Sequence, residues 1–154
     1  MSSYFKSRFR DQRGFNLLEL MIVIAIIGLL IGVATIGWRL AQQSGNENSA
    51  IQQIGQLRTF QADFANKNRG QFATFDELIQ KSGLDEKFAG EQPVVNGYIY
   101  KMTIVKGSAA TPPFYSVSAE PQQADGRRFY FDSNLSTIKA TDESRPATKD
   151  DQSI

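Results

Sequence analysis

From Leu20 to Trp38 the chain carries no charge, and Thr35 is the only hydroxyl in the run. A helix through these residues, at about 1.5 Å per residue, covers roughly the 30 Å of bilayer hydrocarbon. A conventional secretory signal has an apolar region of only about 7–15 residues, followed by a small-residue cut site. Here the run is longer and ends in Gly37-Trp38-Arg39, so cutting after it is not expected. Directly ahead of the run stands Glu19. A lone carboxylate at the mouth of an apolar helix needs a compensating partner. The simplest partner is a positive charge made by cutting the chain just before Phe15. A free α-amine titrates near ~7.7–8.0 and is largely cationic at neutral pH. In a low-dielectric bundle such a pair gains from proximity, whereas an unpaired carboxylate is neutralised or excluded. The competing reading is that Glu19 snorkels to the headgroups from one turn inside the span.

The layout that follows is a basic head, one span and a polar body. We divide the chain into a cleaved leader (1–14), a transmembrane helix (15–38), an amphipathic continuation (39–68), a small α+β body (69–140) and a disordered tail (141–154). Net charge is only +1, and the dense basic cluster is Lys6, Arg8, Arg10 and Arg13, with Asp11 beside it. The positive-inside rule keeps that head in the cytoplasm and sends the body across, with Arg39 weakly opposing. No nucleic-acid face is expected on the body. The chain has no Cys and no His, which removes disulfides, thiolate chemistry and the commonest metal ligand and general base. Nothing resembles a nucleophile with a positioned base, so no catalysis is expected.

The helical pattern continues without Pro from Phe15 to about Asn68, a length of roughly 80 Å at 1.5 Å per residue. Ile51, Ile54, Leu57, Phe60 and Phe64 recur at steps of three and four and predict a buried face. Ser44-Gly45-Asn46 is the expected kink or break, and Arg69-Gly70 the expected end. Thr74-Phe75-Asp76-Glu77 predicts a capping box opening a short helix to Ser82, closed by Gly83. Strands are predicted at Gly97–Val105, Phe114–Ala119, Arg128–Asp132 and Ser136–Ala140, the last two forming a hairpin around Asp132-Ser133-Asn134. Short connections favour an antiparallel meander. The fold class is α+β: a long N-terminal helix packed by its distal half against a small antiparallel sheet. Each solves the other's burial problem, since a body of this size has a marginal core alone.

Arg13-Gly14-Phe15-Asn16-Leu17-Leu18-Glu19-Leu20 resembles the N-terminal processing motif of type IV pilins and type II secretion pseudopilins. Arg69-Gly70-Gln71-Phe72-Ala73-Thr74 is similar to the Gly-x-Tyr-Pro-Thr segment of pilins, and Arg127 to Asp132 to a late strand of such bodies. The resemblance implies cleavage between Gly14 and Phe15 by a membrane aspartyl prepilin peptidase, N-methylation of Phe15, and pairing of Glu19 with the Phe15 amine of a neighbouring subunit. It implies a structural subunit, not an enzyme, with no cofactor. Its partners would be identical or related pilin subunits, the peptidase, and an inner-membrane assembly platform with a cytoplasmic ATPase. The precursor would be a single-pass inner-membrane protein, and the assembled product a periplasmic or cell-surface filament. Ile36 stands where many pilins have Pro, and Asn16 where Thr is commonest. Without Cys there is no disulfide-closed adhesive loop. A pseudopilin of a secretion or DNA-uptake system is the alternative, and an anchored periplasmic binding domain that never polymerises is the third reading.

Three further features have bland readings. Gly28 and Gly32 form a small-xxx-small pair that allows close helix approach, as simple packing in a filament. Phe60, Phe64, Tyr98, Tyr100, Phe114, Tyr115, Phe129, Tyr130 and Phe131 fall at core spacing and are assigned to the core, not to base stacking. Asp132-Ser133-Asn134 and Asp125-Gly126 faintly resemble calcium-ligand spacing, which some pseudopilin bodies use, but turn formation explains them equally well.

Overall fold

The computed structural model describes residues 15–154; the leader, with Gly14 and the basic head, lies outside the described residues. The chain divides into two compact units between Arg39 and Leu40. Helix α1, Leu17–Lys67, contributes to both.

In the first unit every residue from Phe15 to Arg39 is exposed. Leu29, Ile36 and Trp38 each leave about two thirds of their surface uncovered (70, 66 and 67 %). An apolar helix bare on all sides has no reason to exist in water, and its burial must come from lipid or from other helices.

The second unit is built on the distal part of α1. Ala50, Gln53, Ile54, Leu57, Gln61 and Phe64 are buried, with Ile51 and Phe60 packed partly against the same core. These positions step by one, three and four and lie on one helix face. The helix is unbroken through Ser44-Gly45-Asn46, where the sequence predicts a kink or break. Isolated Gly costs a helix only about 1 kcal/mol, and the segment is tied down nearby. Glu47 accepts from Gln43 at 3.0 Å and from the Arg127 N–H at 3.3 Å.

Helix α2, Phe75–Ser82, begins and ends as its sequence predicts. Thr74 and Glu77 close a capping box, and Gly83 at φ 76° forms the left-handed C-cap. A short 3-10 turn, Glu86–Phe88, follows. Six strands then run in chain order as an antiparallel meander: β1 Val94–Val95, β2 Tyr98–Val105, β3 Phe114–Pro121, β4 Arg128–Asp132, β5 Lys139–Thr141 and β6 Gln152–Ser153. Alternate side chains form the inner face: Tyr98 and Tyr100 on β2, Tyr115, Val117 and Ala119 on β3, Phe129 and Phe131 on β4. Tyr98 meets Phe129 at 5.7 Å, and Phe88 stands edge-on to Tyr100 at 5.4 Å. Of the aromatics assigned to the core, Phe60, Phe114 and Tyr130 are only half-buried.

Two further expectations fail. The predicted strand Ser136–Ala140 begins later, at Lys139. Asp132 prolongs the turn instead, accepting the Asn134 N–H on Oδ1 at 2.8 Å and the Leu135 N–H on its carbonyl at 3.1 Å. The tail, expected to be disordered, folds back and adds β6 to the edge of β5. Its charges are complementary and close a loop: Arg145 bridges Asp151 at 2.9 Å and Glu143 at 2.6 Å. The arginine and the Thr148 amide hold the Asp151 carboxyl well below the usual carboxylate range. Ala147, within the loop, is buried. Arg127 and Arg128 hold this segment. Arg127 pairs with Asp142 at 3.3 Å, and Arg128 donates to the Glu143 carbonyl at 2.9 Å.

Burial raises the phenol pKa of Tyr98, Tyr100 and Tyr115, the last to about 12, with Glu47 adding to the shift at Tyr98. An unfolded tyrosine ionises near ~10. Between that pH and the folded values the native state binds more protons, so stability falls as pH rises. The urea midpoint is therefore expected to be flat below about pH 10 and to drop as pH is taken toward 12. A midpoint unchanged across that window would contradict the assignment.

Candidate functional site

The N-terminal site is set by where α1 starts. Phe15 and Asn16 are outside the helix, and Phe15 is 90 % exposed. Asn16 is the cap. Its carbonyl accepts the first helical bond, from the Leu20 N–H at 3.2 Å. Its side-chain oxygen accepts from the Leu18 N–H at 3.2 Å. In return, Glu19 Oε2 accepts from the Asn16 N–H at 3.1 Å. This reciprocal arrangement satisfies orphan amides at the helix start, as a capping box does. It also places the carboxylate at the positive end of the helix dipole.

Glu19 is thus held one turn into the helix, folded back toward the chain's N-terminal side. The backbone nitrogen of Phe15 is one residue before the amide that Glu19 already contacts. A carboxylate in this place is suited to receive a cation at that nitrogen or from a neighbouring molecule. It has no general base or nucleophile beside it among the described residues, and nothing in the arrangement suits bond-making chemistry.

The sequence singles out Phe15 and Glu19, but takes Asn16 only as a polar swap. The signal for its capping role was present: Asn-x-x-Glu ahead of an apolar run is the same pattern that reveals Thr74 and Glu77. Gly28 and Gly32 lie on one face of the exposed helix, and a Cβ at either would meet nothing within 4 Å. Their small size is not required by packing within the described chain. At Asp132-Ser133-Asn134, where calcium was weighed, Oδ1 of Asp132 accepts from Asn134 and Oδ2 accepts from the Tyr130 hydroxyl at 3.1 Å. Among the described residues no three acidic side chains cluster as a metal site would require.

Residues 9–35 match the family model for the prokaryotic N-terminal methylation motif. No curated protein and no solved structure matches the chain. Among the described residues one helix, α1, is long and apolar enough to cross a membrane, which with the motif fits an inner-membrane precursor. The bare helix, the capped glutamate one turn inside it and the motif match agree: the chain carries the N-terminal methylation motif that is the hallmark of prepilin-type sequences.

Proposed function

We propose that this chain is a structural subunit of a type IV pilus or a related filament, cut before Phe15 and polymerised through α1. The observation that carries the reading is the placement of Glu19. It is the one carboxylate at the mouth of an apolar helix exposed on every side, at the point where cleavage would create an amine. In the assembled bundle, Glu19 of one subunit pairs with the Phe15 amine of another. The pair distinguishes a subunit in register from one out of register, because a displaced carboxylate would be left unpaired in a low-dielectric core. Gly28 and Gly32 then let neighbouring helices approach closely. The 1–14 leader remains cytoplasmic until cut, and Phe15 is methylated after the cut.

Gly14 has no side chain, so the backbone at the scissile bond can enter a tight active site. Gly14→Leu is expected to block processing, leaving the product at the gel mobility of the uncut precursor. Mass spectrometry of the native product is the broader test. A chain starting at methylated Phe15 supports the reading. A product with residues 1–14 intact, dispersed as monomers, overturns it and favours an anchored binding domain. The genomic neighbourhood assigns the finer role. A retraction ATPase beside a secretin marks a retractile pilus, whereas a secretion gene cluster marks a pseudopilus.

A further inference from the structure

The second unit contains a cleft that filament assembly through α1 leaves unused. It has a volume of about 480 Å³ and lies between the end of α1, helix α2 and the loop after β2. Lys67, Arg69, Lys81 and Lys106 line it, facing a single lining carboxylate, Glu77. These cations are scattered in sequence, and only the fold gathers them. Glu77 is already committed to the α2 cap, where it accepts from the Thr74 N–H at 3.0 Å. Cancelling Lys67 against its neighbour Asp63, 3.1 Å away, and one further cation against Glu77 leaves two of the four uncompensated. The whole chain carries a net charge of only +1.

Helix termini explain part of this cluster. Lys67 and Lys81 fall in the last turns of α1 and α2, where cations oppose the dipole. Arg69, two residues past the end of α1, shares that end, whereas Lys106 has no such reason. Arg69 occupies a left-handed backbone position, φ 54°, directly before Gly70 at φ 79°. Glycine holds that conformation without steric conflict, so an arginine there is not explained by the backbone. Lys106 precedes a fixed loop. Gln71 accepts from the Gly107 N–H at 2.8 Å and donates back to the Gly107 carbonyl at 3.4 Å. A Cβ at Gly107 would come within 2.8 Å of Pro113, so the close approach needs glycine.

We propose that this cleft binds a phosphate-bearing ligand, with Arg69, Lys81 and Lys106 as its anion contacts. One carboxylate would occupy one guanidinium fork, whereas two uncompensated cations suit a dianion or two successive phosphodiesters. The same chemistry is offered by a free nucleotide and by a single nucleic-acid strand. The proposal does not depend on the filament reading.

The test is calorimetric titration of the full chain in detergent micelles at physiological ionic strength. The probes are inorganic pyrophosphate, a 5′-mononucleotide, a single-stranded oligonucleotide and, as control, a dicarboxylate. Saturable binding of a phosphate probe is expected, weakened at least tenfold by Arg69→Gly and by Lys106→Gln. Arg69→Gly removes the charge from a position that glycine accepts, so its thermal unfolding is expected to be unchanged or later. Tighter binding of the strand than of the mononucleotide assigns a nucleic acid as the source; the reverse assigns a free nucleotide; both support the site. No saturable binding of any phosphate probe, equal binding of the dicarboxylate, or affinities unaltered in both variants would overturn it.

Discussion

Glu19→Ala is expected to leave the body folded and the helix inserted, yet to abolish filament formation. Removing one partner of a buried ion pair costs about 3–5 kcal/mol, because the remaining charge is stranded. At about 1.4 kcal/mol per tenfold, subunit addition would weaken by roughly two to three and a half orders of magnitude. The structure adds a sharper variant. Glu19 Oε2 also accepts the Asn16 N–H at 3.1 Å, so alanine removes a helix cap as well as a charge. Glu19→Gln keeps an oxygen for that cap and loses only the charge. If pairing with the Phe15 amine drives assembly, both variants fail, as scored by sheared filament yield. If subunits carrying Glu19→Gln polymerised normally, the carboxylate would be a cap and nothing more.

The second large effect concerns the body. Gln61 is fully buried and its amide pairs with the backbone of Ala73 in both directions. Its Oε1 accepts the Ala73 N–H at 3.0 Å, and its Nε2 donates to the Ala73 carbonyl. This fastens the segment between α1 and α2 onto the helix. Gln61→Leu fills similar space but strands the buried backbone donor and acceptor of Ala73. Each unpaired buried group costs about 1–3 kcal/mol, so the loss is roughly 2–6 kcal/mol. That is a large fraction of the ~5–15 kcal/mol that holds a domain together. Urea unfolding should show a lower midpoint at an unchanged slope. A loss below about 0.5 kcal/mol, the range of ordinary surface substitutions, would mean that the clamp contributes nothing.

Much of the fold was legible because its signals are local. Apolar steps of three and four marked the buried face of α1 at Ile54, Leu57 and Phe64. Thr74 with Glu77 marked the start of α2, and alternation marked β2, β3 and β4. What stayed hidden depends on partners distant in the chain. Gln53 and Gln61 share the buried face of α1, yet glutamine carries no signature of burial until Ala73 is brought opposite it. The tail read as disordered because its charges were weighed by density and not by sign and spacing. Arg145 with Asp151, and Arg127 with Asp142, show that those charges are matched. Of the proposed assembly site, Phe15 and Glu19 stand out by the cost of a carboxylate beside an apolar run. Asn16 stands out only once its capping bonds with Leu18 and Glu19 are seen. The cationic cleft was invisible, since Lys67, Arg69, Lys81 and Lys106 form no run.

Both outermost strands of the sheet, Val94–Val95 and Gln152–Ser153, are two residues long. At the β6 rim little extended backbone is left on which another chain could template itself. At the other rim β1 covers only Tyr98 and Ile99, and β2 runs on from Lys101 to Val105 with no strand on that side. For a molecule proposed to live crowded among its own copies, that open stretch is where sideways fusion of bodies has to be resisted, and the charge of Lys101 sits along it.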